Sequence, residues 1–125
     1  MILPGNEENT LPQIVYEEMD GTISIKGRSI SPEVEDYFSD FLPYLKDCIE
    51  KKPMDMKISF DFEYFNTKTS KLLMQLLYTV KPLEEQGFKI DITWTYEEGD
   101  DDMKDIGEDY EDLAQIKFTF IEKPE

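Results

Sequence analysis

The sequence has no histidine, a single cysteine, a single tryptophan and few cations. Without imidazole there is no Ser-His or Cys-His nucleophile pair, no His-ligated zinc and no imidazole acid/base step. Lone Cys48 excludes an internal disulfide and a thiolate zinc cluster, and an unpaired thiol inside an apolar pattern fits a reducing cytoplasm. Long apolar runs are missing too. No stretch approaches the roughly 18 residues of a membrane span, and the opening Met1–Asn9 lacks the basic start and apolar stretch of a signal peptide. Thirteen Lys and Arg stand against 29 Asp and Glu, a net charge of −16, so phosphate backbones and anionic membranes are repelled. These absences describe a cytoplasmic protein with no nucleic-acid partner and no membrane insertion, whose partners present basic or neutral surfaces.

What is present suffices for one domain over residues 1–125, since 39% hydrophobic residues, with eight Phe and seven Tyr, fill a core without a staple. The polar segment up to about Leu11, with Pro4 and Gly5, is expected to be flexible. Ile14-Val15-Tyr16 and Thr22 to Lys26 flank Asp20-Gly21 as a β-hairpin. Ser31 and Pro32 then read as N-cap and first residue of a helix. Its apolar face is Val34, Tyr37, Phe38, Phe41, Leu42, Leu45, Cys48 and Ile49, and Pro43 kinks it or restarts it after Asp40. Cys48 lies on that stripe and reads as core packing, the alternative being a reactive thiol.

Two stretches alternate with period two: Met56, Ile58, Phe60, Phe62 and Tyr64, then Phe88, Ile90, Ile92, Trp94 and Tyr96. Between them Leu72, Leu73, Leu76, Leu77, Val80 and Leu83 mark a helix, making a β-α-β unit with parallel strands and a right-handed crossover. Parallel strands buried on both faces read as continuous apolar runs, whereas these carry a polar face, so one side of the sheet should be wet. Glu97 to Asp112 holds ten carboxylates against one lysine, a net −9 of the −16. Met103, Ile106, Tyr110 and Leu113 nonetheless mark an amphipathic helix there, with Gly107 a cost of about 1 kcal/mol relative to Ala. Ile116, Phe118 and Phe120 form a last strand. The order β-β-α-β-α-β-α-β describes an α/β chain of two layers: a mixed sheet of about five strands with helices mainly on one face.

No catalytic residue, metal or cofactor emerges. There is no G-x-G-x-x-G, and after Gly21 the Gly-Lys of a Walker loop is replaced by Lys26-Gly27. From Asp100 an EF-hand's third ligand falls on Lys104 and its sixth position holds no Gly. The acidic stretch thus reads as a solvated helix face or a patch for a basic partner, with a divalent-cation site at Asp100, Asp102 or Asp105 as the alternative.

The segment that stands out is Tyr64-Phe65-Asn66-Thr67-Lys68-Thr69-Ser70-Lys71, joining a central strand to the middle helix. Asn66 or Thr67 is the natural N-cap, and the first-turn N–H groups, with Lys68 and Lys71, would accommodate a phosphoryl group on a hydroxyl there. Plain capping is the other reading. Tyr64 continues the apolar face of its strand and Phe65 breaks onto the polar one, while Trp94 and Tyr96 belong to the core.

The run Phe65-Asn66-Thr67-Lys68-Thr69-Ser70-Lys71-Leu72-Leu73, followed by Ile92-Thr93-Trp94-Thr95-Tyr96, Asp100-Asp101-Asp102-Met103 and Gly107-Glu108-Asp109-Tyr110, resembles the SiaC family of bacterial regulatory phosphoproteins. The upstream Gly27-Arg28-Ser29-Ile30-Ser31-Pro32-Glu33 fits as well, and the likeness covers about Leu11 to Phe120. Such proteins look like distant relatives of the anti-sigma-factor-antagonist (STAS) fold, in which a hydroxyl at the start of the corresponding helix is phosphorylated by a cognate kinase and cleared by a phosphatase. The resemblance implies a non-enzymatic partner switch with Thr67 as acceptor. It also implies an unphosphorylated form that binds a client such as a diguanylate cyclase, in biofilm and c-di-GMP signalling. The chain departs from the family's Asn-Thr-Ser-Ser run by placing Lys68-Thr69 after Thr67, which keeps Thr69 and Ser70 as alternative acceptors. Asn66, Lys68 and Lys71 surround the site, and Phe65, Asp100, Asp101, Asp102 and Glu108 are candidate partner contacts. The rival readings are a small acid-dependent or metal-assisted enzyme and a constitutive acidic adaptor.

Overall fold

The amino-terminal segment, expected to be flexible up to Leu11, has defined partners. In the computed structural model, which describes residues 1–124, strand β1 (Ile2–Leu3) pairs antiparallel with β2 (Gln13–Glu17), Ile2 opposite Val15. The Met1 ammonium donates to the Tyr16 carbonyl at 2.8 Å, and Gly5 N–H donates to the Tyr37 hydroxyl at 2.7 Å. Asn6 Oδ1 accepts from the N–H groups of Thr10 and Leu11 at 2.9 and 3.0 Å. Polar residues here satisfy one another, which composition does not reveal, and the sheet therefore has six strands rather than about five. Glu125, the last residue of the expected domain, lies outside the described residues.

The remaining elements are β3 (Thr22–Ser29), α1 (Val34–Phe38), α2 (Phe41–Lys51), β4 (Met56–Phe65), α3 (Thr67–Glu85), β5 (Ile90–Glu97), α4 (Asp101–Ala114) and β6 (Phe118–Lys123). The expected hairpin is β2–β3, Glu17 opposite Thr22, closed by Gly21 at φ 69°. A side chain at Gly21 would lie 2.5 Å from the Asp55 carbonyl, so the turn needs glycine. From β3 to β6 the strands are parallel and lie in sequence order. Right-handed crossovers that always advance the same way put every helix on the same face. Ile23, Ile25, Met56, Ile58, Phe60, Ile92 and Trp94 are buried from the sheet side, and Phe38, Phe41, Leu45, Leu73, Leu76 and Leu77 from the helix side. Ser24, Lys57, Ser59, Asp91, Thr93 and Thr119 lie on the opposite face and stay half-exposed or exposed, the wet face that the alternation predicts.

The helix expected from Ser31 forms as two. Ser31 Oγ accepts from Glu33 N–H at 3.0 Å in a turn before α1, and the chain restarts at Phe41 after Asp40. Pro43 is the third residue of α2, where its missing N–H has no intrahelical acceptor to disappoint. Cys48 is half-buried against the core, and its Sγ donates to Glu18 Oε2 at 3.1 Å. Burial and that carboxylate push its thiol above the usual value, the opposite of an activated nucleophile.

Two packing details depart from the expected pattern. Gly27 pairs with Phe62 but Arg28 with Tyr64, so Glu63 is an extra residue in β4. The bulge inverts the parity that follows it: Tyr64 is 60% exposed, while Phe65, opposite Ser29, turns inward against Phe62, Trp94 and Tyr110. In α4, Leu113 is 61% exposed and Ala114 takes the buried place. Gly107 is no idle cost either, because a Cβ there would lie 2.6 Å from the Trp94 indole.

Candidate functional site

Each parallel strand ends at the same edge of the sheet, so the amino termini of α1, α3 and α4 gather there. β4 runs into α3 through Asn66, which is extended at ψ 176° and serves as the N-cap. Its Oδ1 accepts from Thr69 N–H at 2.9 Å and from the Thr69 hydroxyl at 2.8 Å, while its Nδ2 donates to the Ser31 carbonyl at 3.2 Å. Asn66 N–H donates to the Ser29 carbonyl at 3.0 Å. One side chain thus ties α3 to the β3–α1 loop.

The three hydroxyls of the segment have different surroundings. Thr69 is 0% exposed, and its Oγ1 lies 3.0 Å from the Ser29 carbonyl and 2.7 Å from Ser29 Oγ. Ser70 is half-buried, and its Oγ pairs with the Tyr110 hydroxyl of α4. Thr67, first residue of the helix, is exposed. Helices leave their first N–H groups without intrahelical acceptors. Asn66 takes that of Thr69, and those of Thr67 and Lys68 face the same end as the Thr67 side chain. Lys68 and Lys71 are exposed, with Lys68 Nζ 3.3 Å from the Pro32 carbonyl.

Beneath this turn lies an aromatic cluster. Tyr110 stands edge-on to Trp94 with ring centroids 5.6 Å apart, and Phe65 stands edge-on to Trp94 at 6.3 Å. Burial raises the Tyr110 phenol above its ordinary value, the Ser70 hydroxyl partly opposing it. Trp94 Nε1 donates to the Met103 carbonyl at 2.9 Å, binding β5 to α4. The first turn of α3 is therefore tied to the third turn of α4 through Ser70 and Tyr110, with Phe65 and Trp94 packed beneath.

Of the candidate partner contacts, Phe65 is more support than surface. Asp100 caps α4, its Oδ1 accepting from Met103 N–H at 3.1 Å. Asp101 and Asp102 are exposed in the first turn, and Glu108 is exposed about 10 Å further along the helix axis. Among the described residues no three cysteine or carboxylate side chains converge as a metal site. Also among them, no helix is long and apolar enough to cross a membrane. Ser29 and Tyr110 are the site residues that pattern reading misses, and Tyr64, read as continuing the apolar face, is exposed beside them. Ser29 continues the inward parity of Ile23 and Ile25, which was the available signal.

The family model described as SiaC family regulatory phosphoprotein matches residues 5–123. Solved structures share the fold. SiaC of Pseudomonas aeruginosa superposes with a TM-score of 0.83 at 17% identity, over 100% of this chain and 98% of that one. A chain in the crystal structure of diguanylate cyclase SiaD in complex with its activator SiaC, from the same organism, gives 0.89 at 16% identity over 98% and 99%. Apo-SiaC gives 0.85 at 16% over 97% of each. No curated protein is significantly similar in sequence.

Proposed function

Because the chain belongs to the SiaC family of regulatory phosphoproteins, we propose that it is a non-enzymatic switch, reversibly phosphorylated on Thr67 by a cognate Ser/Thr kinase and cleared by a phosphatase in the cytoplasm. The unphosphorylated form binds a protein client, for which a diguanylate cyclase is the leading class. The observation that carries the acceptor is the contrast among the three hydroxyls. Thr67 is exposed, Thr69 is buried among the oxygens of Asn66 and Ser29, and Ser70 is held by Tyr110. A phosphoryl group on Thr67 meets the positive end of α3, the unpaired first-turn N–H groups, Lys68 and Lys71. The same group on Thr69 would have to break the Asn66–Ser29 anchorage first. The client class is supported by the SiaD–SiaC complex among the structural neighbours.

The added charge acts on binding. A differential of about 1–3 kcal/mol, 5- to 150-fold in affinity, suffices for a switch. Intact-mass and peptide mass spectrometry on protein recovered from its native host, beside a Thr67→Ala variant, tests this. One phosphoryl group on Thr67, absent from the variant, is the expected result. Phosphate on Ser70 or Thr69 would move the acceptor, and none under any growth condition would remove the switch. A pull-down of purified host diguanylate cyclases on Thr67→Ala and Thr67→Asp then tests the client.

A further inference from the structure

Thr67 heads a line of residues at the spacing of one helix face: Thr67, Lys71, Gln75, Tyr78 and Pro82. On α2 and just beyond it, Leu42, Lys46, Ile49 and Pro53 repeat the same spacing. The last four of the first line and all of the second line opposite walls of an open groove of about 930 Å³ between α2 and α3, or of its extension of about 470 Å³ toward Lys68. The two share Leu42, Pro43 and Gln75 and so form one trough. Buried Ile49 and Leu83 contribute its apolar floor, and Tyr78 stands 56% exposed on its rim. An exposed aromatic beside a concave strip is the residue type that dominates binding energy at interfaces.

Charge marks one end of the trough. Lys68 and Lys71 line the extension against Glu35, a local excess of one positive charge on a chain of net charge −16, while Lys46 and Glu50 balance each other in the main groove. The backbone marks the other end, since Pro82 has no N–H to return to the Tyr78 carbonyl four residues earlier. Both walls are helices whose backbone bonds are otherwise internal, so an extended peptide would find no edge to pair with. A helix brings its own backbone bonds satisfied and needs only an apolar stripe.

We propose that this trough is the docking site for an amphipathic α-helix of a partner protein. Its apolar stripe packs on Ile49, Tyr78 and Leu83, and its carboxylates face Lys68 and Lys71. The contact line from Lys71 to Pro82 spans about 16 Å, three helical turns. A second copy of the chain is a poor occupant because both copies carry −16. The regulatory part rests on the acceptor assigned above: a phosphate on Thr67 stands at the basic end and repels the partner's carboxylates. The docking part does not depend on it.

Photo-crosslinking in host cells tests the docking. Tyr78→p-benzoylphenylalanine is placed on the groove, with the same substitution at Ser59 on the open sheet face and at Leu113 on α4 as controls. Each variant is checked for a parental circular dichroism spectrum and melt. The expected result is an adduct at position 78 whose crosslinked peptide is an amphipathic helical segment of another protein with clustered Asp or Glu. A synthetic peptide of that segment binds the purified protein, and Lys71→Glu or Tyr78→Ala weakens it at least tenfold. An adduct with a second copy of this chain, a crosslinked peptide without that pattern, or no adduct at position 78 overturns the proposal. Adding Thr67→Asp separates the two readings: an adduct that persists unchanged leaves docking intact and removes Thr67 as its regulator.

Discussion

Gly107→Ala is the substitution whose consequence the geometry states most sharply. An added Cβ would stand 2.6 Å from Trp94 Cδ1 and Nε1 and 2.8 Å from Cγ. Carbon atoms rest at about 3.5–4.0 Å, so α4 and the indole must part by about 1 Å. Alanine contributes about 1 kcal/mol to the helix relative to glycine. Against it stand about 1–3 kcal/mol of overpacking and about 1–3 kcal/mol if the buried indole N–H loses the Met103 carbonyl. Parting by about 1 Å costs the indole that hydrogen bond, so the net is a loss of about 1–5 kcal/mol. Urea denaturation followed by the fluorescence of Trp94, the chain's single tryptophan, reads it directly. The loss should shrink in a double-mutant cycle with Trp94→Phe, whose ring is smaller, with all four proteins followed by far-ultraviolet circular dichroism because two of them lack the tryptophan. An unchanged or raised midpoint for Gly107→Ala would refute the packing account and leave Gly107 a merely tolerated helix residue.

Thr69→Val should cost about 1–3 kcal/mol in urea denaturation by stranding the Ser29 hydroxyl, yet leave phosphate incorporation at Thr67 intact in a kinase assay with mass-spectrometric mapping. Thr67→Asp should melt at or above the parent, since an acid in the first turn contributes about 0.3–1 kcal/mol. Its client affinity in titration calorimetry should fall 5- to 150-fold, as about 1–3 kcal/mol of coupling requires. Stability should decline as pH rises through the alkaline range. The phenol of Tyr110 is raised from an ordinary value of 10.0 and the Cys48 thiol from 9.0, both chiefly by burial, and hydrogen bonding to Glu18 pushes Tyr44 up to about 12. The folded state then holds protons that the unfolded chain releases, so the stability these groups contribute is complete below their ordinary values and lost above them. Urea midpoints at pH 8, 9.5 and 11 that stay level or rise would contradict this.

The strand and helix order, the restart after Asp40, the wet sheet face and the burial of Trp94 were legible because each rests on periodicity or on a single-residue backbone rule. A cap at Asn66 or Thr67 was legible for the same reason, and the Thr69 N–H on Asn66 Oδ1 decides between them. Tyr64 and Phe65 were not, since their orientation depends on Glu63 bulging against β3, a property of two strands taken together. Gly107 carries a local penalty and a tertiary reward, and only the position of Trp94 reveals the second. Thr69 and Thr67 look alike as hydroxyls two residues apart. What separates them is Ser29, 40 residues from Thr69 and brought beside it by the parallel pairing of β3 and β4. The strand β1 was hidden because its two residues carry no period at all.

The arrangement at the start of α3 divides labour between adjacent residues. Asn66 and Thr69 hold the turn, so Thr67 is left without structural duty, and a phosphoryl group proposed there would come and go without a cost to folding. The change such a group would make to the whole molecule is small: close to two negative charges on a chain already at −16. Beyond a Debye length of about 8 Å at physiological salt, the two forms present nearly the same field to an approaching partner. Long-range steering therefore cannot tell them apart. Discrimination has to happen at contact distance, where Lys68 and Lys71 are among the few cations on an acidic surface and where a phosphate on Thr67 would claim them first. A partner that relies on those two lysines is sensitive to the modification, and one that docks on the acidic face of α4 is not.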